Sequence, residues 1–197
     1  MNNISLRVEN LSGVKQSVGS GISLSDGSLA TAKHVVADDR TGQPSQNLKV
    51  GVFAGKERIG SIPVTPKVSD TMDLAKLTPK QGFILPNQAK PLATKPPETG
   101  KEVFTHKTFA GGKPQDDKLA KVLFDQRHQI EFEQSKEQPK ITFGDSGGMI
   151  LNEAGKVVGM VSAGKFSPQD TAKQYGTIVG LNMTSPVVKE ELKRLSI

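Results

Sequence analysis

Ile141-Thr142-Phe143-Gly144-Asp145-Ser146-Gly147-Gly148-Met149-Ile150 places a serine in a glycine-flanked turn, with an acid before it and an apolar run after it. A serine hydroxyl is a weak nucleophile until a base takes its proton and N–H groups receive the charge that forms on the substrate oxygen. Glycine carries no Cβ, so the chain beside Ser146 is able to turn several N–H groups towards one point. The same five residues also suit an ordinary polar turn. A base and an acid in suitable places elsewhere decide between the two readings.

Three histidines are available, His34, His106 and His128. His34 closes the run Leu29-Ala30-Thr31-Ala32-Lys33-His34-Val35-Val36, at the end of an expected hairpin strand, where a side chain projects from a barrel rim. His106 lies inside an expected strand and His128 in a polar turn. Both read as surface or hydrogen-bonded residues. Among the acids, Asp73 stands at the mouth of the apolar segment Leu74-Ala75-Lys76-Leu77. A carboxylate held there fixes a histidine tautomer through Nδ1–H. Asp38, Asp39 and Asp70 sit in more polar, turn-like settings.

Working outward, 20 glycines and 12 prolines break the chain of 197 residues into short apolar runs, the pattern of an all-β protein. Residues 4–8 alternate apolar and polar. Asp26-Gly27 between two such runs is a hairpin signal. Further strands are expected over 48–54, 58–64, 73–77, 101–109, 119–124, 129–133, 149–151, 156–162 and 176–182. A proline-rich stretch divides the chain, which predicts a first unit over 1–85, a crossover over 86–100 and a second unit over 101–184. Residues 185–197 close it: Ser185 as cap, Pro186 in the first turn, and Val188, Leu192 and Leu195 on one face predict a helix.

Composition narrows the chemistry. The sequence has no cysteine, so disulfides, thiolate metal sites and a cysteine nucleophile are excluded. No run reaches the apolar length of a membrane span, and the start has no secretory h-region, which leans towards an intracellular setting. The net charge of +6 offers a surface for nucleic acid. Its lysines are interspersed with acids, however, and one tyrosine and no tryptophan offer little for base stacking. A solvated basic surface is the expected reading.

Taken together, Thr31-Ala32-Lys33-His34-Val35-Val36, Asp73-Leu74-Ala75-Lys76-Leu77 and Gly144-Asp145-Ser146-Gly147-Gly148 resemble, in that order, the triad segments of chymotrypsin-like (trypsin-fold) serine proteases. Val158-Gly159-Met160-Val161-Ser162-Ala163-Gly164 is similar to that family's substrate-binding strand. The resemblance implies two six-stranded antiparallel β-barrels with a C-terminal helix and a cleft between the barrels. It implies a serine endopeptidase acting on protein or peptide chains through an acyl-enzyme. His34 would be the base, Asp73 its orienting acid and Ser146 the nucleophile. The N–H groups of Gly144 and Ser146 would form the oxyanion hole, and no metal or organic cofactor is needed. Val161, Ser162, Ala163 and Gly164 would bind substrate backbone, with Phe143 at the pocket entrance and Gly176 backing the pocket.

Some residues depart from the family pattern. Lys33 and Met149 replace a small residue and a proline. Lys140 falls at the pocket-base position, where it either favours an acidic P1 side chain or extends into water. No activation sequence precedes the first strand, so Asp145 is expected to use a partner other than a freed N-terminal amine. In this, and in lacking cysteine, the chain looks more like bacterial and viral intracellular relatives, HtrA-type proteases among them, than like secreted digestive enzymes. Two other readings remain: a pseudoprotease or conditionally inactive binding module on the same fold, and a basic nucleic-acid-binding β-barrel.

Overall fold

A computed structural model of the chain describes residues 4–11, 17–38, 40–107, 115–119, 122–125, 128–133, 144–166 and 175–196. The first half carries β1 (Ile4–Asn10), β2 (Ser17–Gly19), β3 (Ile22–Ser23), β4 (Leu29–Thr31), the one-turn helix α1 (Lys33–Val36), β5 (Leu48–Ala54), β6 (Glu57–Val68) and β7 (Ala75–Pro79). The second half carries β8 (Val103–Lys107), β9 (Gln115–Leu119), β10 (Val122–Asp125), β11 (Gln129–Glu133), β12 (Met149–Leu151), β13 (Val157–Phe166), β14 (Tyr175–Asn182) and the helix α2 (Pro186–Arg194).

Each half forms one antiparallel sheet of seven segments. The orders are β2-β1-β5-β6-β7-β4-β3 and β10-β11-β14-β13-β12-β8-β9. In both, the two segments at the ends of the order are neighbours in sequence. Only Ser20 and Gly21 separate β2 from β3, and two residues separate β9 from β10. The two ends of each sheet are therefore close along the chain, and each sheet curls into a six-stranded barrel. Curling shields most of the edge at which a sheet would pair with another chain.

Local chemistry explains the elements. The β3–β4 hairpin turns at Gly27, with φ +81, a region that costs glycine nothing. Asp26 Oδ1 accepts the Ser28 N–H at 3.0 Å and so closes the turn. Strand β11 alternates as expected, with Ile130 and Phe132 fully buried between exposed Gln129 and Glu133. Two apolar clusters result. One fills the second barrel with Val103, Ile130, Phe132, Ile150, Val158 and Ile178. The other runs from the first barrel (Leu6, Val8, Leu29, Val50, Leu77) through Met149, Met160, Leu181 and Met183 to Val188, Leu192 and Leu195 at the C-terminal end. The same cluster thus joins both barrels and the helix, and each fully buried aliphatic side chain in it contributes about 1.5–3 kcal/mol.

Helix α2 begins where proline at its first position predicts. Ser185 occupies the cap position with extended backbone, but its side chain makes no capping bond; its N–H donates to Asn182 O at 3.1 Å instead. The far end is fastened by Lys76 of β7. This lysine is buried, and its Nζ donates to Asp26 Oδ2 at 2.5 Å and to Ser196 Oγ. Among the described residues no helix is long and apolar enough to cross a membrane.

Candidate active site

His34 does not end a strand. It sits in α1, which follows β4 directly. A single turn is not stable alone, because nucleation fixes several residues for one hydrogen bond. Here outside donors serve its carbonyls. Val35 O accepts Ser17 Oγ at 2.8 Å, and Val36 O accepts the Ser45 N–H at 2.8 Å. Val35 and Val36 are buried, which turns His34 outward with an exposed ring.

Asp73 is presented by the loop between β6 and β7. Ser69 is fully buried and pins that loop: its N–H donates to Leu74 O at 2.8 Å, and its Oγ accepts the Thr71 and Met72 N–H groups at 3.2 and 3.3 Å. Lys33 Nζ donates to Ser69 O at 2.8 Å and ties α1 to the same loop. Lys33, which departs from the family pattern, also lines the cleft beside His34.

The two segments meet at one carboxylate. Asp73 Oδ1 accepts the backbone N–H of His34 at 3.0 Å, and Asp73 Oδ2 lies 2.9 Å from His34 Nδ1. Ser162 Oγ also donates to Asp73 Oδ2. Burial alone would raise the Asp73 pKa. The ring hydrogen bond and charge of His34, the Ser162 hydroxyl and the His34 N–H outweigh it, and the carboxyl titrates below its ordinary value. Asp73 is therefore an anion at neutral pH, and an anion beside Nδ1 keeps the proton there and the lone pair on Nε2.

A cleft of about 480 Å³ opens beside this pair, lined by His34, Asp73 and Ser162 together with Met72, His128 and Leu181. His128, read from sequence as a surface residue in a polar turn, thus stands in the cleft wall, on a turn whose His128 O accepts the Asn182 N–H at 2.8 Å.

The Ser146 turn comes from the other barrel. Gly144 and Gly147 have φ of +99 and +85, so both need the freedom that glycine supplies. Gly148 N–H donates to Asp145 O at 2.9 Å, and Gly147 N–H donates to Val161 O at 2.8 Å. Asp145 is 5% exposed and is not without a partner. Ser146 O accepts the Ser20 N–H at 2.8 Å. A Cβ built on Gly19 would stand 3.0 Å from Ser146 O and 2.6 Å from Val35 Cγ1, so one residue separates the serine backbone from the helix that carries His34.

Of the expected site residues, the structure brings His34, Asp73 and Ser162 into direct contact and docks the Gly144–Ser146 backbone against the first barrel. Val161, Ser162, Ala163 and Gly164 lie on β13, with a bulge between Val161 and Ala163. Gly176 lies on β14. Lys140, Phe143 and Asp39 fall outside the described residues, and so does the side chain of His106. Sequence reasoning missed the bond from Ser162 to Asp73, although a signal existed: Val161 belongs to the core, so its neighbour faces the opposite way. It also missed Ser20, where Gly19-Ser20-Gly21 within a strand signalled a close backbone approach.

Comparison with known proteins agrees with this fold. The family model described as Trypsin-like peptidase domain matches residues 19–160. A search of curated proteins gives no match. Among solved structures, the chain is similar to the Rv3671c protease of M. tuberculosis. Against its active form the identity is 19%, the TM-score 0.67, and the match covers 98% of this chain and 81% of that one. Against an inactive serine-to-alanine form the values are 20%, 0.67, 100% and 88%. The serine endoprotease of Yersinia pestis matches with 18% identity and a TM-score of 0.70, over 98% of this chain and 62% of that one. These identities bear on fold alone, while the family match spans more than two thirds of the sequence: the chain belongs to the trypsin-like peptidase domain family.

Proposed function

We propose that the protein is a serine endopeptidase in which His34, Asp73 and Ser146 form the triad. The carrying observation is that one half-buried carboxylate, Asp73, holds both the backbone N–H and Nδ1 of His34. That grip fixes the tautomer and the ring direction that a general base needs. His34 and Asp73 belong to a first unit, residues 1–85, and Ser146 to a second, residues 101–184. The crossover over 86–100 joins them and residues 185–197 pack the terminal helix.

In this mechanism Ser146 Oγ attacks the scissile carbonyl carbon while His34 Nε2 takes its proton. The oxygen becomes an oxyanion facing the N–H groups of Gly144 and Ser146. Collapse expels the amine, which takes the proton from His34, and leaves an acyl-enzyme. Water then attacks with His34 as base, and the acid product leaves as Ser146 regains its proton. Asp73 stays ionised throughout and stabilises the imidazolium. A substrate chain would lie along residues 161–164. On the Ser146 side β13 is bonded as far as Val161, by Gly147 and Gly148, and Ala163 onward pairs with β14 on the other side, which leaves an edge for an added strand after Val161.

A fluorophosphonate probe tests the proposal. Wild type is expected to be labelled at Ser146, and Ser146→Ala and His34→Ala are not. An unlabelled, folded wild type would put the binding-module reading first.

A further inference from the structure

Two hydrogen bonds between the barrels meet at Ser20, a residue with no part in the chemistry above. It is 1% exposed. Its N–H donates to Ser146 O at 2.8 Å and its Oγ donates to Gly144 O at 2.9 Å. Its own carbonyl accepts Thr31 Oγ1 at 2.7 Å, and Thr31 is fully buried. One residue of the first barrel thus holds the carbonyls on both sides of Asp145 in the second.

Those carbonyls share their peptide planes with the Asp145 and Gly147 N–H groups, so Ser20 fixes the planes on both sides of the Asp145–Ser146 peptide, whose N–H would face an oxyanion. In a planar trans peptide, C=O and N–H point in opposite directions, so fixing one aims the other. Gly148 fixes Asp145 O and so aims the Ser146 N–H. Gly144, at φ +99, is the weak point, because glycine rotates between conformations at little cost. A hydrogen bond on Gly144 O restrains that rotation, and a buried hydroxyl has no water to bond in its place. The fit is close: a Cβ on Gly147 would stand 2.2 Å from Ser20 O and 2.4 Å from Thr31 Oγ1. Thr31 lies on β4, three residues before His34, and pairs with Ala75, two residues after Asp73. One strand therefore registers the His34–Asp73 pair and, through Ser20, the Gly144–Ser146 turn.

We infer that Ser20 and Thr31 are positioning residues: Ser20 sets the Gly144-Asp145-Ser146 backbone from the opposite barrel, and Thr31 sets Ser20. The inference rests on the protease reading for its catalytic consequence. Amidase kinetics on Ser20→Ala, Thr31→Val and Thr31→Ser test it. Ser20→Ala and Thr31→Val are expected to lose about 10–100-fold in kcat, less than the loss of a whole oxyanion donor, with KM held within about twofold. The pH at which activity falls on the acid side, set by His34, should not move. Thr31→Ser, which keeps the hydroxyl, should keep kcat within about threefold of wild type. Unchanged kcat in Ser20→Ala and Thr31→Val, or a loss carried equally in KM, overturns the inference. Should Ser20→Ala not fold, the Thr31 pair carries the comparison. A wild type that fails to label with fluorophosphonate defeats the protease reading separately. The strut is then read by amide hydrogen exchange at Gly147 and Gly148, expected to be at least about tenfold faster in Thr31→Val than in Thr31→Ser. Equal exchange overturns it.

Discussion

Replacing Ser162 by alanine removes one donor from a carboxylate that has three. Cβ remains, so packing along β13 is little changed. A hydrogen bond to a charged acceptor contributes about 1.5–3 kcal/mol. The Asp73 side chain is 28% exposed and borders a cleft, so water replaces part of the lost bond and the lower end applies. At pH 7 the expected loss is about 1.5 kcal/mol, or about 3–6 °C in Tm for a chain of this size. The pH dependence separates this cause from packing. The folded Asp73 pKa is depressed, so the bond's contribution is full above the unfolded carboxyl value, about 3.9, and is lost as pH falls through the folded value. Scanning calorimetry of both proteins from neutral to acid pH should show the Tm gap narrow. The Asp73 carboxyl carbon, followed by NMR, should titrate higher in Ser162→Ala than in wild type. A Tm gap that stays constant into acid, or an unmoved carboxyl midpoint, would refute the reasoning.

Gly147→Ala adds a Cβ against Ser20 O and Thr31 Oγ1 at a φ of +85, so chemical denaturation should show a loss of about 3–5 kcal/mol from clash and strain together. Gly155→Ala, at φ +69 with nothing within 4 Å, should cost only about 1–2 kcal/mol; equal losses would mean that the interbarrel contact is not tight. Asp26→Asn leaves the buried Lys76 ammonium with a neutral partner. Because Asp26 is half exposed, the expected cost at pH 7 is about 1–2 kcal/mol. The Asp26 pKa is lowered to about 2, through the Lys76 and Ser28 hydrogen bonds acting against burial, so that cost should shrink as pH falls from 3.8 towards 2. A gap independent of pH would assign it to something other than the charge.

Much of the chemistry was written locally, and what was local was legible. Strands β5 and β12 fall where alternation and flanking turns put them, and Asp26-Gly27 makes its hairpin. The segments of His34, Asp73 and Ser146 each carry their own short signature. Where the reading slipped, a distant contact had overridden local preference. Residues 115–118, not expected as a strand, form most of β9, because polar Gln115-Asp116-Asp117-Lys118 pairs with β8 despite its composition. Strand β6 runs to Val68, past Pro63 and Pro66, because β7 pairs with its far half. The helical turn at His34 was hidden, since its carbonyls are served from Ser17 and Ser45 and not by its own sequence. The partner of Ser20 was hidden for the same reason: Gly144 lies 124 residues away.

The gap between β2 and β3 has a meaning beyond closure. Inside an unbroken strand of a closed barrel, the backbone groups are spent on the two neighbouring strands, and none remains for an outside partner. The first barrel's pairing lapses at Ser20 and Gly21, and the Ser20 N–H and C=O turn to Ser146 and Thr31. Perfecting the sheet and docking the other barrel are thus rival uses of the same atoms. A redesign that extended β2 smoothly into β3 would complete the ladder and strand the serine turn without its anchor. In this molecule an imperfection of one barrel is the means by which the other barrel's serine turn is docked against it.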